Sequence, residues 1–198
     1  MTTVRHLEKL WNSKTYERLV RELLNGRPEN SLRLASELTT PLAAAALALI
    51  RLDELDQSHV PLAGKLLRTI LLSQDADGGW TDPMTTALCL RALLANRGHG
   101  LSIERGFSYL ANLQKPEGIW PREPIRRLPA DAFASAFVLY QLGSVDRFRA
   151  AVRFANAIAW FDAHGPAQDP ESRRLWDHAR LRARVNPRLA LQVATLWS

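Results

Sequence analysis

Residues 70–80 read Ile-Leu-Leu-Ser-Gln-Asp-Ala-Asp-Gly-Gly-Trp, and residues 110–120 read Leu-Ala-Asn-Leu-Gln-Lys-Pro-Glu-Gly-Ile-Trp. Gln74, Gly78 and Trp80 recur 40 positions on as Gln114, Gly118 and Trp120, in the same register. Self-similarity at a period of roughly 20–50 residues marks a repeat architecture, in which each unit buries its apolar face only against its neighbours. Within each copy the glutamine falls near the end of a helical pattern, where its amide can satisfy orphan backbone groups. The glycine allows a tight reversal at positive φ, and the tryptophan covers a large apolar area while its indole N–H seeks an acceptor. These are structural tasks, so Gln74, Gly78, Trp80, Gln114, Gly118 and Trp120 are expected to brace the fold rather than to do chemistry.

Outward from the two copies, apolar residues recur at helical spacing and strand-like alternation is missing, so an all-α fold is expected. Two helix types alternate. Segments 41–52, 84–94 and 131–142 are rich in small residues, which let helices approach closely. Segments 59–73, 103–113 and 145–161 are longer-sided and amphipathic. Upstream, Thr3 to Leu24 suggests one or two amphipathic helices that stop at Asn25-Gly26, and a further helix is expected over Ser31 to Leu38. A decayed third copy is visible where Arg149-Ala150 and Phe154-Ala155-Asn156 echo Arg105-Gly106 and Leu110-Ala111-Asn112. Downstream come an arginine-rich helix over 170–184 and an apolar one over 187–197.

These segments resemble the QW motifs of the terpenoid cyclase and protein prenyltransferase superfamily, of which squalene–hopene cyclase is the best-known member with such repeats. The resemblance implies an α/α toroid of inner and outer helices. It covers residues 40–145 well and the two ends poorly; the QW-type repeats are assigned to 40–165, with N-terminal helices over 1–39 and arginine-rich C-terminal helices over 166–198, all within one domain. A complete toroid of about twelve helices, at roughly 40–45 residues per pair, needs more chain than this. The ring is therefore expected to be incomplete, or completed by the N-terminal helices or by a second subunit, either another copy of the chain or a partner.

The resemblance also directs attention to the turns after each motif, which in the family line the cavity mouth. The cyclases carry an Asp-x-Asp-Asp acid there. Asp82-Pro83-Met84-Thr85-Thr86-Ala87 matches its outer frame alone, with Met84 and Thr85 where two aspartates belong. In the second copy Asp131 aligns with the middle aspartate, between Ala130 and Ala132. Asp131 and Asp82 are thus the candidate acids. The competing role for Asp131 is to cap the helix that begins at Ala132. Phe133, Phe137 and Tyr140 share one helix face and are candidates to shape an apolar chain or stabilise a carbocation. Arg122, Arg126 and Arg127, in the proline-rich loop before Asp131, are candidates to hold a diphosphate.

Other templates fit less well. The zinc-dependent prenyltransferases need an Asp-x-Cys pair, but Ala87 precedes Cys89 at that spacing, and the five histidines show no paired ligand spacing. No metal and no cofactor are expected. Cys89, the only cysteine, reads as core, because Leu88-Cys89-Leu90 lacks the thioester segment of toroid thioester domains.

Composition narrows the classes further. The chain has 198 residues, is 46% hydrophobic and 23% charged, and carries a net charge of +6. That is the profile of a folded globular protein rather than a disordered one. Pro41 to Ile50, the longest nearly apolar stretch, is too short to cross a bilayer, and the start lacks a secretory pattern, so a cytoplasmic location is expected. Only Lys9, Lys14, Lys65 and Lys115 among the 26 basic residues are lysine; the other 22 are arginine. That bias suits an anionic partner such as a diphosphate or a peripheral membrane surface. Nucleic acid is not expected, since no aromatic-interleaved or helix-turn-helix pattern accompanies the arginines.

Three functions follow. The first is a terpenoid-cyclase-type enzyme that cyclises or rearranges an apolar isoprenoid or polyene, with Asp131 as acid. The second is a non-catalytic helical-repeat binding module or partner subunit. The third is a biosynthetic enzyme of other chemistry on the same fold.

Overall fold

The computed structural model describes residues 13–26, 32–96, 99–164 and 169–184. Among these residues the protein is all-α, with ten helices and, in place of any strand, one isolated bridge between Pro121 and Ala130. The chain falls into two compact units that divide after Leu110.

The first unit holds α1 (Ser13–Leu24), α2 (Leu32–Glu37), α3 (Pro41–Glu54), α4 (Pro61–Leu72), α5 (Pro83–Ala95) and most of α6 (Gly100–Leu113). Three of these helices start in one way, in which a residue in extended conformation is followed by proline at the first helical position. Val60-Pro61, Thr40-Pro41 and Asp82-Pro83 are the three, and Thr40 and Asp82 also cap with their side chains. At the other end of α1, Gly26 leaves the helix at φ 75°. Helix α3 packs against α1, α4 and α5. Its Ala43, Ala44, Ala45 and Ala46 are all buried, and small side chains of this kind allow close axis-to-axis approach. In α5 every residue from Pro83 to Leu90 is buried, as befits a helix apolar all round. Amphipathic α4 differs sharply, with only Ala63 and Ile70 buried.

The second unit contains α7 (Ala132–Leu142), α8 (Asp146–Ala151), α9 (Phe154–His164) and α10 (Pro170–Arg184). Helix α7 is its core, buried at every position from Phe133 to Leu142. Helix α10 packs on α7 and buries Ser172, Leu175, Trp176 and Ala179, with Trp176 stacked on Phe161 of α9 at 4.5 Å, while Arg173, Arg174 and Arg180 are exposed. The spacing of three and four between the buried positions explains how so arginine-rich a helix still binds the core.

One expected helix is corrected. Residues 145–161 do not form a single helix; the chain breaks at Val152 and Arg153 between α8 and α9. Val152 adopts extended backbone, and the break exposes the Arg153 N–H, which donates to Gln114 Oε1 at 2.7 Å. The brace of the second copy thus consumes a backbone donor that a continuous helix would have used internally. The expected segments 3–12 and 187–197 lie outside the described residues. Among those that are described, no helix is long and apolar enough to cross a membrane.

Candidate functional site

Each motif copy closes a turn between two helices, and the two turns share the same bonds. In the first, Asp75 N–H donates to Gly79 O and Gly78 N–H to Asp75 O; in the second, Lys115 donates to Ile119 O and Gly118 to Lys115 O. The glutamine amide then spans the turn: Gln74 Nε2 donates to Gly78 O at 2.9 Å, and Gln114 Nε2 to Gly118 O at 2.7 Å. Gly78 sits at φ 95° and Gly118 at φ 88°. A Cβ on Gly78 would stand 2.6 Å from Arg105 O, and one on Gly118 would run into the backbone of Asn156 and Ala157. Glycine is required here both for its conformation and for space.

Each glutamine also ties its turn to a segment further along the chain. Gln74 Nε2 reaches Ser102 O on α6 at 2.9 Å, and Gln114 Oε1 accepts from Arg153 at the α8–α9 break. The tryptophans are wholly buried. Trp80 Nε1 donates to Ile70 O at 2.8 Å, and Trp120 stacks against Phe148 at 6.2 Å. Gly106 admits the Trp80 ring and Leu90, which would otherwise meet its Cβ at 3.0 and 2.7 Å.

Two hydroxyls complete the braces: Thr86, a candidate in the turn after the first motif, and Ser135, which the sequence did not bring to notice. Trp80 N–H donates to Thr86 Oγ1, and Trp120 N–H to Ser135 Oγ, each at 2.9 Å. Both hydroxyls are buried; Thr86 Oγ1 donates back to Trp80 O at 3.3 Å, whereas Ser135 Oγ donates to Asp131 O at 2.7 Å, with Trp120 O farther off at 3.2 Å. Thr86 and Ser135 each stand four residues after a candidate aspartate, and that shared offset was the available signal.

The candidate acids sit at helix starts. Asp82 caps α5, its carboxylate accepting from Met84 N at 2.8 Å, Thr85 N at 2.9 Å and Thr85 Oγ1 at 2.6 Å. Asp131 caps α7, accepting from Ala134 N at 2.7 Å. A third aspartate, Asp169, caps α10 in the manner of Asp82: Glu171 N and Ser172 N point at it, and Ser172 Oγ donates at 2.6 Å. Asp82-Pro83-Met84-Thr85 and Asp169-Pro170-Glu171-Ser172 are therefore one capping device used twice, with the hydroxyl at the fourth position closing it.

The aromatic candidates all lie in the core. Phe133, Phe137 and Tyr140 are no more than 2% exposed. Tyr140 is covered on its face by the Arg182 guanidinium at 4.0 Å, with the His178 ring edge-on at 6.2 Å. Arg182 Nη1 also donates to Tyr140 O at 3.1 Å, so this ring is engaged by α10. Cys89 is fully buried, and burial first, then the Asp82 carboxylate, raise its thiol well above the usual range. It is an inert core residue. Tyr109, part of the second motif copy, presses its ring on Gly79 and buries a hydroxyl that has no hydrogen-bond partner among the described residues. Burial and the carboxylates of Asp77, Asp82 and Asp75 hold this phenol protonated.

The arginine candidates stand apart. Arg122, Arg126 and Arg127 are exposed, in a loop present only in the second copy. In the first copy Asp82 N–H donates to Trp80 O across Thr81 alone; in the second, Asp131 N–H makes the same bond to Trp120 O across ten residues. Among the described residues, no group of three or more His, Cys, Asp or Glu could hold a metal ion. No family model, no curated protein and no solved structure matches this chain.

Proposed function

We propose that this chain is a non-catalytic helical-repeat binding module, built on an α/α-toroid scaffold of the QW-repeat kind, that keeps the braces and has turned the acid positions into helix caps. The observation carrying this reading is the capping geometry of Asp82 and Asp131, together with the reuse of the Asp82 device at Asp169, where no acid is called for. A capping carboxylate works best ionised, since it accepts backbone N–H groups and faces the positive end of a helix dipole. A general acid must instead hold a proton until the substrate needs it. The aromatic faces that would steady a cation are also engaged within the core, most plainly at Tyr140.

The second reading, a terpenoid-cyclase-type enzyme with Asp131 as its acid and an apolar isoprenoid as substrate, is favoured by the two retained Gln–Gly–Trp braces. Incubation of purified protein with farnesyl diphosphate, geranylgeranyl diphosphate and squalene, followed by mass spectrometry beside Asp131→Asn, separates the two. The module reading expects no cyclised product from either protein. Product from the unaltered chain that vanishes in Asp131→Asn establishes the enzyme.

A further inference from the structure

We infer that the inserted loop 121–130 is a membrane-docking element that engages an anionic lipid surface. Its base is fixed: Pro121 and Ala130 form the bridge, and Asp131 N–H closes onto Trp120 O at 2.9 Å. Its interior is ordered by Ile125 N–H to Glu123 O and Leu128 N–H to Ile125 O, with Pro121, Pro124 and Pro129 fixing φ at three of ten positions. Little conformational entropy remains to be lost when such a loop binds.

Everything at its tip faces solvent. Residues 122–127 are all exposed, and they present three guanidinium groups against one carboxylate, Glu123. Arg126 and Arg127 make no ion pair or hydrogen bond among the described residues. Between them and Arg122 in sequence stands Ile125, an apolar side chain 42% exposed. A small anion calls for a concave site with buried donors, and six consecutive exposed residues do not make one. An extended anionic plane suits the same groups better: guanidiniums at headgroup level and an isoleucine at the acyl boundary. In repeat proteins, insertions of this kind map to loops on one face, often the binding face.

This assignment names the partner of the binding module and rests on that reading. The test is co-sedimentation of the full chain with phosphatidylcholine vesicles, with and without phosphatidylserine, at low and high salt. The expected result is binding to the anionic vesicles alone, weakened by salt. Replacing Arg122, Arg126 and Arg127 together by glutamine lowers affinity roughly a hundredfold, at about fivefold per arginine. Glu123→Arg raises it at least about fivefold. Ile125→Ser lowers it severalfold even at high salt, where charge is screened.

Absence of binding, equal binding to neutral vesicles, or an unchanged triple variant overturns the assignment. So does release by inorganic phosphate at matched ionic strength, which would give the loop to a free anion instead. Should the triple variant fail to melt like the parent, Glu123→Arg decides alone. Isoprenoid turnover would sink the module reading in its own assay, while lost vesicle binding would sink only this assignment.

Discussion

The two motif turns differ far more at their exits than in their braces. Both cross the turn with a glutamine amide, reverse at a left-handed glycine, and bracket a buried tryptophan with a hydroxyl four residues into the next capped segment. The first then enters α5 through a single residue, Thr81, held at φ 62°. The second takes ten residues to make the same tryptophan-to-aspartate bond before α7. Bonding that is kept while the exit varies marks the brace as scaffold. The variable exit is the part that the two copies do not share.

The comparison breaks most readily at the tryptophans. Trp80→Ala and Trp120→Ala should each cost about 3–5 kcal/mol in urea unfolding, because each removes a wholly buried ring. A much smaller loss in one copy would mean that the two braces are not equivalent. The glutamines should sharpen it. Gln114 is fully buried and serves Gly118 and Arg153, whereas Gln74 is partly exposed. Gln114→Ala should cost about 2–3 kcal/mol and Gln74→Ala about 1 kcal/mol, since water can reach the groups that Gln74 abandons.

Smaller effects are expected at the exits. Thr81→Gly should stabilise the chain by about 1 kcal/mol, relieving a β-branched residue held in a glycine conformation. Replacing Pro121–Ala130 by one glycine, to copy the first exit, should change stability by less than about 1 kcal/mol and abolish vesicle binding. A large loss on that excision would show the loop to be part of the fold.

Much of this was legible in the sequence, for identifiable reasons. The helices of the small-residue type follow from apolar periodicity, and Thr40-Pro41 and Asp82-Pro83 mark two of their starts. The braces were legible because glutamine, glycine and tryptophan each answer a local need at fixed spacing. The break at Val152 and Arg153 was not, since no glycine or proline stands there. What the broken helix offers instead, the Arg153 N–H, is taken up by the Gln114 side-chain carbonyl, 39 residues away in sequence. Tyr140 was chosen for its place on a helix face, and nothing in α7 could reveal that Arg182 covers it. Asp82 was read through an acid motif, although its repetition at Asp169-Pro170-Glu171-Ser172 was already present to suggest a cap.

The account stands on those aspartates being caps. Its most direct test is the unfolding free energy of Asp82 and Asp131 replaced singly by asparagine and by alanine. Asparagine caps as well as aspartate, so Asp→Asn should stay within a few tenths of a kcal/mol of the parent, and Asp→Ala should lose about 1 kcal/mol at each site. Alanine variants more stable than the parent would contradict the account, because that is the signature of residues kept for activity at the expense of the fold.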